Sequence, residues 1–460
     1  MKIPRNIIND LLAWKSKRGR LPLIFRGVRQ VGKTSAVSFF GEQHFPDFLK
    51  VDLERDEQSV AVFRTTKKPK AILEQLQVIN NKKLSKEGLL FIDEVHVCPA
   101  ALTSLKYFAE ELPEQAVIVA GSHLGILLAG YLEEESYSFP VGKVEFLDLT
   151  PVSFSEFIDF LGQKEALTIA HSSILEQHQS VPEAIHSLLW DLWKKYLIVG
   201  GLPQVITEFD TAANDSLNEG FSAARKKQEQ LITAYEADIA KHSGKVNAQH
   251  VIRVLRAIPN KLTAAPLDGT QRFTFKDVIS GIRGYERLAG PIDWLTNAGL
   301  ALRLPMVKMP LSPIKGFGDE HLFKLFLFDV GLLGALSGID PAQIFQFNFG
   351  MYKGYFAESF VLEELNVIFP HRPIVSWYSK EAEVEFIYED ATGVIPIEVK
   401  SSHKFTSRSL ASFEKRFNPP RSFILSANPG STKNTRHELP IYLTELITKI
   451  TPSTTPPPKI

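Results

Sequence analysis

A single cysteine, Cys98, occurs in the 460 residues, so no intrachain disulfide can form and a reducing, cytoplasmic setting is favoured. On its own, that residue reads as a small buried hydrophobe. Net charge is equally scarce: 52 Lys and Arg balance 52 Asp and Glu, which excludes a surface that attracts polyanions as a whole. Long apolar runs are missing too. The longest, Val117 to Leu132, is interrupted by Gly121, Ser122, His123 and Gly125 and is too short to span a bilayer, so no membrane partner is expected. The opening MKIPRNIINDLLAWKSKRGR is too charged for the core of a signal peptide, and its Ile7, Ile8, Leu11 and Leu12 have the spacing of an amphipathic helix. There is no internal repeat. Only residues 451–460, TPSTTPPPKI, have the composition of a disordered tail.

What the chain does have is a composition of 44% hydrophobic and 23% charged residues, enough to bury a core in each of about three domains at this length. The stretch LPLIFRGVRQVGKT, Leu21 to Thr34, joins an apolar run of interior-strand length to the spacing G-x-x-x-x-G-K-[ST]. Gly27 and Gly32 can adopt backbone angles that other residues avoid, so the amides of Gly27, Val28, Arg29, Gln30, Val31, Gly32, Lys33, Thr34 and Ser35 can converge on a triphosphate at a helix N-terminus. Lys33 is expected to hold the β and γ phosphates of ATP, and the Thr34 hydroxyl to ligate Mg²⁺. Ala36, Val37, Phe39 and Phe40 mark the helix that follows.

Apolar strands alternate with helical patterns along residues 1–150, which implies βαβ units and a parallel sheet covered on both faces. The expected strands are Leu21–Phe25, Phe48–Leu53, Leu89–Ile92, Ala116–Ala120 and Val144–Leu149. The third runs into Asp93 and Glu94, which places two carboxylates at the sheet edge where such folds bind ligands. Asp93 is expected to hold Mg²⁺ through water, and Glu94 to deprotonate the water that attacks the γ-phosphate. Ser122, where the fourth strand ends, suits either a contact to the γ-phosphate or a helix N-cap.

The blocks GVRQVGKT, LLFIDEVH, VAGSHLGILL, FPVGKVEFLDLTPVSFSEF, GGLPQVI, YEADIAKH, KLFLFDVGLL and PIEVKSS occur in the order found in a group of prokaryotic AAA-type P-loop ATPases. The chain resembles that group over nearly its whole length. The resemblance implies a fusion of an ATPase, a winged-helix module and a PD-(D/E)XK nuclease-like domain. The fold class it implies is α/β: a P-loop parallel sheet of the additional-strand type with a helical lid, a winged-helix module, then an α/β restriction-endonuclease-like domain. The boundaries follow as 1–150 for the ATPase core, 151–240 for the lid, 241–325 for the winged helix and 326–450 for the nuclease-like part. Where some relatives show Gly-Arg after the fourth strand, this chain has Gly142-Lys143, which leaves a trans-acting arginine without a candidate.

Charge is unevenly spread across these segments. Residues 151–240 hold 6 Lys and Arg against 13 Asp and Glu, and residues 241–330 hold 13 against 7, so attraction for duplex DNA is expected in the second of these. There the pattern predicts helices around Val251–Leu255, Val278–Ile282 and Ile292–Leu295, then a strand pair over Leu300–Met309. Arg283 and Arg287 are the candidates to meet phosphates or base edges near the recognition helix. A protein-docking module has the same pattern.

Beyond the buried run LFLFDVGLL and a helix around Tyr355–Leu365, strands are expected at Glu383–Glu389 and Val394–Ser401, joined by the turn DATG. In the second strand Glu398 and Lys400 project from one face. With Glu385 on the adjoining strand, Glu398 can hold a divalent metal while Lys400 positions or activates a water for attack on a phosphodiester. Glu358 resembles the accessory acid of the nuclease fold. The family more often has Asp where this chain has Glu385, and without that family context an E-x-K on a strand is a solvated ion pair. Three readings stand: an ATP-driven enzyme acting on DNA, a nucleotide-switched adaptor whose nuclease fold is inactive, and a protein-remodelling ATPase. The partners they imply are duplex DNA, another protein, or further copies of the chain.

Overall fold

The computed structural model describes all residues except 1–2, 123–124, 126–138, 264–271, 280, 282–283, 319–320, 371, 434 and 451–460. Two compact units result: residues 1–150 with 297–299, and residues 151–296 with 300–460. Arg283 and the expected tail lie outside the described residues.

The first unit opens with helix α1 (Ile7–Ser16), whose Leu11 and Trp14 are buried. Strand β1 (Leu23–Arg26) leads through the glycine-rich loop into helix α2 (Lys33–His44). β2 (Phe48–Asp52), β3 (Leu89–Asp93), β4 (Ala116–Ala120) and β5 (Glu145–Asp148) complete a five-stranded sheet of order β2-β3-β4-β1-β5. Every pairing in it is parallel. β4 is the additional strand, inserted between the strand that feeds the loop and the strand that ends in Asp93. β3 and β4 are buried along their whole length, as parallel strands covered on both faces must be.

The second unit begins with five helices, Phe154–Phe160, Lys164–Leu175, Glu183–Val199, Pro203–Ala213 and Leu217–His242, so the expectation of a helical block holds here. Ser153 starts the first with a capping box, its hydroxyl accepting from the Glu156 amide while the Glu156 carboxylate accepts from the Ser153 amide. The Gly200-Gly201 break is sterically required: Gly200 sits at φ +74°, and a Cβ there would lie 2.4 Å from Asp329 Oδ1.

An eight-stranded mixed sheet follows, in the order β12-β13-β11-β10-β9-β8-β6-β7. Its strands are β6 (Ala301–Val307), β7 (Phe323–Leu327), β8 (Val375–Tyr378), β9 (Glu383–Asp390), β10 (Gly393–Lys400), β11 (Ser422–Ser426), β12 (Ser431–Lys433) and β13 (Arg436–Pro440). β9 and β10 form the expected antiparallel hairpin, its turn fixed by Asp390 Oδ1, which accepts from the Thr392 amide at 2.8 Å.

Three expectations are corrected in this unit. Leu300–Met309 is not a strand pair but one strand, β6, and its antiparallel partner β7 arrives only after residues 308–322, whose Pro310, Pro313, Gly316 and Gly318 preclude a tight hairpin. β6 also pairs in parallel with β8, so one sheet runs across residue 325 and the boundary expected there falls inside β7. Among the described residues no helix covers Val278 and Ile279; these form a turn with both side chains buried. Helix Ala289–Asn297 does form, with Pro291 in its first turn where a missing amide hydrogen costs nothing.

Candidate functional site: a phosphate loop facing two carboxylates

The loop between β1 and α2 has the strained backbone that its glycines permit. Gly27 sits at φ +152° and Gly32 at φ +96°; a Cβ on Gly27 would lie 2.5 Å from the Leu149 carbonyl oxygen. Gln30, which has a side chain, also takes a positive φ of +70°, a cost that only the surrounding loop can hold in place. Gly32 is the N-cap of α2, so the amides of Lys33, Thr34 and Ser35 have no acceptor inside the helix and carry the positive end of its dipole. This cradle fits a polyphosphate.

Lys33 is buried, and its ammonium donates to the carbonyls of Gly27 at 2.7 Å and Val28 at 2.8 Å. Burial lowers it to about 8 against the upward pull of Glu94 and Asp93, so the loop's own carbonyls compensate the charge poorly. Asp93, at the end of β3, is 4% exposed. Burial raises its carboxyl, while a hydrogen bond from the Thr34 hydroxyl and the Lys50 ammonium at 3.3 Å pull the other way. Thr34 and Asp93 are thus brought together, the pair that Mg²⁺ on a bound triphosphate requires. These residues fit that ion.

Glu94 takes a left-handed backbone, φ +50° and ψ +44°. Its carboxylate accepts from the Ser122 amide at 3.2 Å and from the Ser122 hydroxyl at 3.1 Å, and the His96 ring stands 3.2 Å away. Burial would raise the Glu94 carboxyl, but His96 and Ser122 outweigh it and bring it down to about 2. Ser122 therefore restrains Glu94, a role that neither sequence expectation included. The N-cap alternative falls mostly on residues outside those described. Lys50 and His96 were also missed by sequence reasoning, because each acts through a neighbouring strand or turn and carries no motif of its own.

In the second unit Glu358, Glu385, Glu398 and Lys400 do come together. Lys400 lies 3.1 Å from Glu398 and 3.7 Å from Glu385, whose other oxygen accepts from the Val399 amide at 3.2 Å. Two further residues join them: Lys324, 3.2 Å from Glu358, and Glu383, 2.5 Å from Lys324. The sign in the sequence was a lone lysine inside the apolar run LFKLFLF, a charge that burial obliges to find partners. Among the described residues no group of three or more His, Cys, Asp or Glu is arranged to hold a metal ion. Arg287 is exposed in a short 3₁₀ turn, Tyr285–Arg287, ahead of helix Ala289–Asn297 rather than on it.

Residues 19–158 match the family model described as AAA domain. The first unit is an AAA-type P-loop domain. Residues 191–343 match a Domain of unknown function (DUF8612), and residues 353–443 another (DUF4143). No curated protein matches the chain. Similar solved structures include the Walker-type ATPase of Pyrococcus abyssi, 15% identical, covering 73% of this chain and 96% of that one with a TM-score of 0.47. The ORC2 protein of Aeropyrum pernix in its ADPNP-ADP complexes is 15% identical, covering 75% and 95%, with a TM-score of 0.40. The RuvB Holliday junction branch migration motor of Thermotoga maritima is 15% identical, covering 66% and 90%, with a TM-score of 0.33. No helix among the described residues is long and apolar enough to cross a membrane.

Proposed function

We propose that the chain binds ATP and hydrolyses it with Mg²⁺, and the observation that carries this is the convergence of Lys33, Thr34, Asp93 and Glu94 at one edge of the parallel sheet. A bound Mg²⁺ would supply positive charge to offset the negative charge that develops on the phosphates. Thr34 and Asp93 would hold it, Asp93 through water. Lys33 leaves the Gly27 and Val28 carbonyls for the phosphate oxygens, which suit a buried ammonium better. Glu94 takes the proton of the attacking water once Ser122 and His96 release it, since a carboxylate held at about 2 is a weak base. Glu94→Gln is expected to keep ATP binding and slow turnover by about 10²- to 10⁴-fold, read from steady-state phosphate release beside equilibrium binding. Turnover at the wild-type rate would remove Glu94 from this role.

For the second unit we propose a part that acts on, or is regulated by, duplex DNA in a cytoplasmic setting, with residues 151–240 as lid, followed by winged-helix-like and nuclease-like parts that share one sheet across residue 325. The basic excess of residues 241–330 and the exposed Arg287 support it, with Arg283 as a second contact candidate. The full chain should bind duplex DNA less tightly as salt rises, and Arg283→Ala with Arg287→Ala should flatten that dependence. A nucleotide-switched adaptor, or a protein-remodelling ATPase working as a homo-oligomer, is the second reading, and the ion pairs of buried Lys324 favour it over cleavage.

A further inference from the structure

The four carboxylates and two ammonium groups of the second unit alternate in sign. Glu383 and Glu358 flank Lys324, and Glu385 and Glu398 flank Lys400. Lys324 reaches this cluster from β7, Glu358 from helix Tyr352–Ile368, Glu383 and Glu385 from β9, and Glu398 and Lys400 from β10. An ammonium that is 2% exposed has exchanged its hydration shell for these oxygens, and only close, ionised partners make that exchange tolerable. Burial raises the carboxyls of Glu358 and of Glu385, the latter to about 7, and Lys324 and Lys400 together pull both back toward the ionised form. A divalent ion among Glu358, Glu385 and Glu398 would meet, besides the Lys400 that a nuclease site itself includes, the buried Lys324 ammonium 3.2 Å from Glu358. The residues therefore do not fit a divalent metal.

We infer that Lys324 is the resident cation of this carboxylate cluster, standing where a nuclease of this design would recruit a divalent metal, and that the cluster locks the sheet to the helix instead of cutting phosphodiesters. Glu358 meets Lys324 rather than a metal, which ties helix Tyr352–Ile368 to β7, while Glu383 ties β9 to the same strand. On this inference Glu358, Glu385 and Glu398 hold the two ammonium groups instead of a metal. The inference rests on the adaptor reading and is independent of ATP hydrolysis, because every residue in it lies in the second unit.

The test is uptake of Mn²⁺ by the nucleotide-free full chain at neutral pH, followed by the loss of its free-ion electron paramagnetic resonance signal. All proteins carry Asp93→Asn, so that the phosphate-loop site contributes nothing. With the cluster intact no saturable Mn²⁺ site is expected. Lys324→Met, which keeps the side-chain length and removes the charge, should gain one Mn²⁺ per chain, and adding Glu358→Gln should remove it again. Lys324→Arg should stay closed to Mn²⁺. One Mn²⁺ bound by the intact cluster and lost on Glu358→Gln or Glu398→Gln overturns the inference, as does a folded Lys324→Met that gains none. Should Lys324→Met not fold, the intact cluster beside its Glu358→Gln and Glu398→Gln forms still decides. Loss of ATP turnover in Glu94→Gln alone leaves this result untouched, so the two readings fail separately.

Discussion

Two lysines of this chain are buried to a similar degree, Lys33 at 7% exposure and Lys324 at 2%, and they stand in opposite electrostatic states. Lys33 meets neutral carbonyls, and its ammonium is held well below its ordinary range, at about 8. Lys324 meets two carboxylates at ion-pair distance, and although burial opposes the charge, Glu358 and Glu383 raise it above the ordinary range. Burial alone thus says little about what a charged side chain does. A buried ammonium whose nearest partners are dipoles is ready for an incoming anion; one already enclosed by carboxylates is part of the framework.

Replacing each lysine by methionine should separate the two states most sharply. Lys33→Met is expected to lose measurable ATP binding, followed by fluorescence of a labelled nucleotide, while the nucleotide-free fold keeps its urea midpoint or gains. The sign follows from linkage. With a folded value near 8 and an ordinary value of 10.5, the unfolded chain binds the extra proton in that interval, so native stability rises with pH from about 8 toward 10.5 and the charged form burdens the fold below it. A lower urea midpoint in Lys33→Met at pH 7 would break the comparison.

The opposite result is expected at the other lysine. Lys324→Met should leave ATP binding by the first unit intact while lowering the stability of the second by about 3 to 5 kcal/mol, since Glu358 and Glu383 remain buried without their partner. Denaturant melts followed at Trp377, which is fully buried in the same sheet, would show a shifted midpoint for that unit. An unshifted midpoint would mean that the ion pairs contribute nothing to the framework.

Which parts of this were legible in advance follows from where the information sits along the chain. All five strands of the first unit lie within two residues of expectation, because a parallel strand buried on both faces is written as a short continuous apolar run, as in Leu89–Asp93. The phosphate loop and Asp93-Glu94 are likewise local patterns. What escaped was non-local. The pairing of β6 with β7 spans residues 308–322, and its continuation onto β8 joins segments some seventy residues apart, with nothing in the 300–309 stretch to announce it. Lys324 was visible as a charge within an apolar run, but its partners on β9 and the helix Tyr352–Ile368 were not, so it marked a segment border instead of a site.

A buried charge with neither a lysine nor a metal beside it has a third course, to keep its proton, and Glu364 extends the comparison to that case. Its carboxyl is 5% exposed and accepts the Phe154 amide at 2.8 Å. Burial raises it to about 8, with Glu445 and Glu156 adding to the rise and the Phe154 hydrogen bond opposing it. The native state therefore binds this proton more tightly than the unfolded chain, whose carboxyl lies near 4.5. Its contribution is complete below that value, declines as pH rises, and is gone once pH passes about 8. Glu364→Gln keeps an oxygen that can accept from Phe154 and removes the titration. The variant should match the wild type at pH 5 and exceed it by up to about 4 kcal/mol at pH 9, since each pH unit between the unfolded and folded values contributes roughly 1.4 kcal/mol. Urea midpoints of the second unit at pH 5, 7 and 9 check this. Parallel curves for the two proteins would mean that Glu364 is ionised in the fold at neutral pH, with a cation or water stabilising it as Glu358 stabilises Lys324.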